Sequence, residues 1–128
     1  MAKKGKKPPT NAELEILRKL WDRGPSTVRE IFRDLNEERP TGYTTVLKIM
    51  QIMTEKGLLT CDKSVRPQIY QVVRSKVHTQ RQLLTELLDK VFSGSPGNLV
   101  LQALSSRKAT PDERRKIREL LDKLEKES

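Results

Sequence analysis

The hydrophobic period changes at Gly57, and this limits the possible folds more than any other feature of the chain. Upstream, apolar residues recur at helical spacing in three successive segments; beyond it come two short β-prone runs. The first segment can be capped by Thr10 or Asn11 and runs to about Asp22, before the breaker Gly24-Pro25. Its Leu14, Ile16, Leu17, Leu20 and Trp21 cover one broad side. Thr27 followed three residues later by Glu30 is a capping-box pattern. Val28, Ile31, Phe32 and Leu35 then form a narrow stripe on a second helix that stops in the polar run Asn36-Glu37-Glu38-Arg39-Pro40.

The third helix starts near Gly42 or Tyr43, buries Val46, Ile49, Met50 and Met53, and ends at Lys56-Gly57, where glycine supplies a left-handed cap. Residues 58–61 and 69–73 read as the strands of a hairpin, with Lys63 and Arg66 at its tip and Pro67 in the turn, where no ladder bond is lost. From Ser75 onward the pattern is helical again. A helix over about 75–92 carries Val77, Leu84, Leu87, Leu88 and Val91 on one side, and 93–97 (SGSPG) breaks it. A short apolar helix follows over 99–104, including Leu101 and Leu104. Thr110-Pro111-Asp112-Glu113 then opens a last helix striped by Ile117, Leu120, Leu121 and Leu124.

The expected class is therefore mainly α with a small β-hairpin: a winged helix-turn-helix over 10–74, then a helical dimerisation region over 75–128. Residues 1–9, MAKKGKKPP, hold nothing that can pack and read as a disordered basic arm. The second half is too short and too leucine-rich to close a core within one chain, and an isologous homodimer is the simplest way to cover it. Its candidate interface residues are Leu84, Leu87, Leu88, Val91, Leu101, Leu104, Ile117, Leu120, Leu121 and Leu124.

The inward stripe of the third helix leaves Thr44, Lys48, Gln51 and Glu55 on the opposite side, with Thr45 adjoining Lys48. Small hydroxyls let a helix sink into the major groove, while Lys and Gln reach base edges or phosphates. A plainer reading makes Thr44 and Thr45 caps and Lys48 and Gln51 an ordinary wet face. Tyr43 has two open roles, stacking on the sugar-phosphate chain or packing under the hairpin; Arg66 is placed for a phosphate or minor-groove contact. In a dimer, two such helices would read a palindromic operator in double-stranded DNA.

The formal charge of +9 points the same way less strongly than it first suggests. Residues 1–74 carry 15 basic against 9 acidic residues, and 75–128 carry 11 against 8, but four of the basic residues in the first half are tail lysines. Without them the halves stand at +2 and +3, so the order of motifs carries the case. An enzyme fails on inventory. Cys61 is the only cysteine and His78 the only histidine, neither with a motif neighbour, so no cofactor or metal site is expected. No apolar run is long enough for a membrane span or a signal sequence, which makes cytoplasm the expected compartment. The alternative function is a winged-helix protein-interaction or RNA-associated module without operator specificity.

Three stretches, NAELEILRKLW, GYTTVLKIMQIMTEKGLL and NLVLQAL, carry a resemblance to the penicillinase repressor family that spans about residues 10–124. The resemblance implies a homodimeric transcriptional repressor of antibiotic-resistance or copper-transport genes. It implies DNA reading by Tyr43, Thr44 and Thr45, extending to Lys48. In the antibiotic branch, a membrane sensor peptidase system leads to cleavage within the dimerisation half; the matching bond is Gln102-Ala103, where the family has Asn-Phe, so cleavage by the same enzyme is in doubt. The copper branch uses carboxy-terminal cysteines, and the ending KLEKES has none, which argues against copper sensing.

Overall fold

A computed structural model describes residues 7–128. In chain order it forms α1 (Asn11–Arg23), α2 (Val28–Glu38), α3 (Tyr43–Glu55), β1 (Leu59–Asp62), β2 (Ile69–Val72), α4 (Lys76–Val91), α5 (Pro96–Ser106) and α6 (Pro111–Glu127). The arm expected over 1–9 lies mostly outside the described residues. At its described end Pro9 is buried, so the chain begins to pack one residue ahead of the first cap, where the sequence reading left nothing to pack.

Local chemistry fixes the helix starts. Thr10 caps α1 and Thr27 caps α2 through complete capping boxes: each hydroxyl accepts the amide three residues on, and Glu13 or Glu30 accepts the cap's own amide. Gly24, at φ 89°, ends α1 with its amide on the Leu20 carbonyl. At the end of α3, Gly57 adopts φ 84° and donates to the Thr54 carbonyl, while Leu58 donates to the Met53 carbonyl. That is a Schellman closure, and it turns the chain straight into β1.

The core of the first half joins Ile16, Leu17 and Leu20 of α1, Val28, Ile31 and Leu35 of α2, and Val46, Met50 and Met53 of α3 to Leu59 and Tyr70 of the hairpin. Each such side chain taken out of water contributes about 1.5–3 kcal/mol. Phe32 and Ile49, expected in the stripes, pack half-buried at its margin. The two strands are antiparallel, with Leu59 opposite Val72 and Cys61 opposite Tyr70. Ser26, fully buried between α1 and α2, exchanges both backbone hydrogen bonds with Tyr70 (2.8 and 3.0 Å). This bridge ties the hairpin to the α1–α2 turn, and the Trp21 indole adds a hydrogen bond to the Arg74 carbonyl. The result is a winged helix-turn-helix, followed by further helices.

The described residues divide into two compact units, one ending at Leu84 and the other running from Thr85 to Ser128, with the boundary inside α4. The expected short helix over 99–104 is longer than the sequence reading allowed. Ser95 caps it by accepting the Asn98 amide and Pro96 occupies its first position, so half of the breaker SGSPG is a helix start. Thr110 and Glu113 close the expected capping box on α6. Neither α5 nor α6 contains a buried residue, and Val91, Leu101, Leu120, Leu121 and Leu124 are each more than half exposed. Among the described residues no helix is long and apolar enough to cross a membrane.

Candidate nucleic-acid interface

The outward face of α3 is built by subtraction. With Val46, Met50 and Met53 committed to the core, Thr44, Thr45, Lys48, Gln51 and Glu55 are all exposed, as the spacing predicts. Glu13 and Lys56 fix the helix against α1. Lys56 Nζ donates to Glu13 Oε2 at 2.8 Å, and Glu13 is 4% exposed. Burial pushes the Glu13 carboxyl up, but the Lys56 hydrogen bond, the Thr10 amide and the Lys56 charge together outweigh it and leave it below the usual carboxylate range.

The start of α3 differs from the other helix starts. Its N-cap is Gly42, which offers no side-chain acceptor. Hydroxyls cap α1, α2, α5 and α6, and Ser75 Oγ accepts the His78 amide at the start of α4. The first amides of α3 therefore receive no side-chain cap, and with the helix dipole they favour an incoming anionic oxygen.

Tyr43 has a definite seat in the free chain, against the core and on α2. Its ring packs edge-on against Phe32 of α2 (centroids 5.6 Å apart, planes at 76°), and the Arg29 guanidinium lies 4.7 Å from its centroid. Tyr43 thus braces α3 on α2 and holds an exposed arginine beside the first turn of the helix. A hollow of about 320 Å³ opens here between the start of α2, the first turns of α3 and the wing, with Arg29, Tyr43 and Arg66 on its walls. The hollow brings Tyr43 and Arg66 together, whereas Thr44, Thr45, Lys48 and Gln51 lie outside it.

The wing is an organised loop. Asp62 Oδ1 accepts both the amide (2.9 Å) and the hydroxyl (2.6 Å) of Ser64, contacts that hold its carboxyl below the usual range. Arg66 Nη1 donates to the carbonyls of Lys63 (2.7 Å) and Val65 (3.2 Å), so this arginine closes the loop while remaining exposed. Tyr70 anchors the base of the wing; burial and its Cys61 contact push its hydroxyl up to about 12.

Ion pairing sorts the charges in a way that residue counts cannot. Lys19 pairs with Glu38, Arg23 with Glu30 and Asp34, Arg39 with Glu15, and Lys56 with Glu13. Among the described residues, Arg29 and Arg33 on α2, Lys48 on α3 and Lys63 and Arg66 on the wing make no ion pair, and neither does Arg18 on α1. The acids in these pairs lie on α1 and α2, so among the described residues these cations of the reader elements stand without ion-pair partners, as does Glu55 at the far end of the α3 face. Sequence reasoning missed Arg29; its only signal was an arginine two residues after the Thr27 cap.

The penicillinase repressor family model matches residues 9–123. The chain belongs to the penicillinase repressor family. Accordingly, this repressor is a DNA-binding transcriptional regulator and not an enzyme. A comparison with curated proteins gives no match. Within the repressor, Cys61 is half-buried with its Sγ 3.5 Å from Gln68 Oε1, and no group of three potential metal ligands occurs among the described residues. Gln102 and Ala103 are exposed within α5, so a protease must first unwind that helix to extend the bond between them.

Proposed function

We propose that the repressor acts in the cytoplasm as a homodimer that reads a palindromic operator, with α3 of each copy in a major groove. In this reading Thr44, Thr45, Lys48 and Gln51 meet base edges and nearby phosphates. Tyr43 positions Arg29 for the phosphate chain, and Arg66 holds the wing against the backbone. The observation that carries the proposal is the exposed polar face of α3, which begins at a helix start with no side-chain cap and lies among cations without acidic partners. A phosphate beside Gly42 would meet free amides, the positive end of a helix and a stacked guanidinium at once.

The homodimer rests on the helices from α4 onward. Leu84, Leu87, Val91, Leu101, Leu104, Leu120, Leu121 and Leu124 are exposed in the single chain, and Leu88 and Ile117 are only partly covered. So much apolar surface is the mark of an interface, and a second copy supplies a matching face by symmetry. Two readers spaced by that dimer would then require half-sites one helical turn, or a multiple of it, apart. The regulated genes are proposed to be resistance or stress-response genes. Relief by a membrane sensor peptidase would need cleavage at Gln102-Ala103.

The test is electrophoretic mobility shift with DNA from upstream of the repressor's own gene against random duplex over a salt series, paired with sedimentation of the free protein. The proposal expects a dimer and a specific complex that outlasts the non-specific one as salt rises. Equal affinity for both DNAs, or a monomer at every concentration, contradicts it.

A further inference from the structure

Seven side chains of α3 are apolar or aromatic, and six of them pack into the core or against it: Tyr43, Val46, Leu47, Ile49, Met50 and Met53. The seventh, Ile52, is 39% exposed. At about 100° per residue it falls between Thr45 and Lys48 around the helix, one turn beyond Lys48 and two beyond Thr45. An isoleucine therefore stands within the polar face formed by Thr44, Thr45, Lys48 and Gln51. The core does not use this side chain, and a β-branched residue brings no helix-forming advantage at an exposed position.

The major groove offers one apolar feature, the C5-methyl of thymine. We propose that Ile52 packs on a thymine C5-methyl and gives the repressor a sequence preference at that base pair that the polar residues around it cannot supply. This inference rests on the reading of α3 as the groove-bound helix. Lys48 and Gln51 donate to acceptors on either purine or to phosphate, whereas a side chain without polar atoms rewards the methyl and leaves an unmethylated pyrimidine unfilled. Ile52 lies about 10 Å along the axis from Thr45, so the thymine belongs to the part of the half-site reached by the second and third turns of the helix.

The test starts from a duplex selected by the wild-type protein out of a random pool. Each thymine is replaced in turn by deoxyuridine, which removes only the methyl, and affinity is read by fluorescence anisotropy. One position per half-site is expected to weaken binding about fourfold, the worth of one buried methyl-sized group. With Ile52→Ala that same replacement is expected to change nothing, while affinity for random duplex and the melting temperature stay at wild-type values. A wild-type protein indifferent to every deoxyuridine overturns the thymine contact alone. So does an Ile52→Ala protein that loses the same factor at that position. Ile52→Ala that lowers the melting temperature or loosens the dimer, with an unchanged deoxyuridine profile, assigns the side chain to packing and overturns the proposal. Failure of the wild type to select any sequence removes the groove-bound reading of α3, and the proposal with it.

Discussion

Replacing Lys56 with methionine tests how α3 is held. Glu13 does two jobs: one carboxylate oxygen accepts the Thr10 amide at 2.9 Å and the other accepts Lys56 Nζ at 2.8 Å. Its side chain is 5% exposed and that of Lys56 is 39% exposed. Breaking a fully buried pair by removing one partner costs about 3–5 kcal/mol, and an exposed pair is worth about 0.2–1 kcal/mol. With one partner buried and the other open to water, Lys56→Met is expected to cost about 1–2 kcal/mol, between those limits. Taking an m-value of about 2 kcal/mol/M, the urea midpoint falls by about 0.5–1 M.

Glu13→Gln keeps an acceptor for the Thr10 amide and leaves Lys56 free to hydrate, so it should cost less. The acid dependence distinguishes this account from simple loss of packing. In the wild type the Lys56 and Thr10 contacts hold Glu13 below its ordinary 4.5, so its contribution is present above that value and fades as pH falls through the folded-state pKa. In Lys56→Met burial is opposed by Thr10 alone, and Glu13 takes up its proton at higher pH. The gap between the proteins should therefore be full at pH 7 and close below about pH 4.5. Urea melts followed by Trp21 fluorescence at fixed protein concentration measure it. Equal midpoints at pH 7, or a gap that persists in acid, refute the reasoning.

Other perturbations separate the remaining parts of the account. Arg29→Ala should weaken every duplex alike and lower the slope of log affinity against log salt by about 1, the share of one phosphate contact; an unchanged slope removes Arg29 from the backbone. Leu121→Asp, at a residue 54% exposed in the single chain, should convert dimer to monomer in sedimentation, and an undisturbed dimer places the interface elsewhere. Thr27→Ala abolishes the α2 capping box and should lower stability by about 1 kcal/mol in thermal or urea melts.

The signals that could be read from the sequence were local. Thr27 with Glu30, Thr110 with Glu113 and Gly57 each set an element end through bonds spanning a few residues, and each stands where the spacing put it. The face of α3 was legible for the same reason, because a helix that commits Val46, Met50 and Met53 inward has no choice about Thr44 and Lys48. The first turn of α5 was hidden because Ser-Pro serves equally as breaker and as helix start, and only the Asn98 amide on Ser95 decides between them. The seat of Tyr43 and the pairing of acids with Lys19, Arg23 and Arg39 are long-range outcomes, joining residues up to 24 apart, and no local pattern encodes them. Ile52 has no part in the sequence-level stripe of α3, and its exposure becomes visible only once the core is seen to be complete without it.

The central claim is that the outward face of α3 reads DNA sequence. Its most direct test is the ratio of affinities for the selected duplex and for random duplex, measured at one salt concentration for wild type, Thr44→Ala and Lys48→Ala. The account predicts that both variants keep the wild-type melting temperature and oligomeric state. Thr44→Ala should bring the ratio toward one, and Lys48→Ala should lower it or weaken both duplexes together if its contact is to phosphate. Unchanged affinities and ratios in both variants would contradict it.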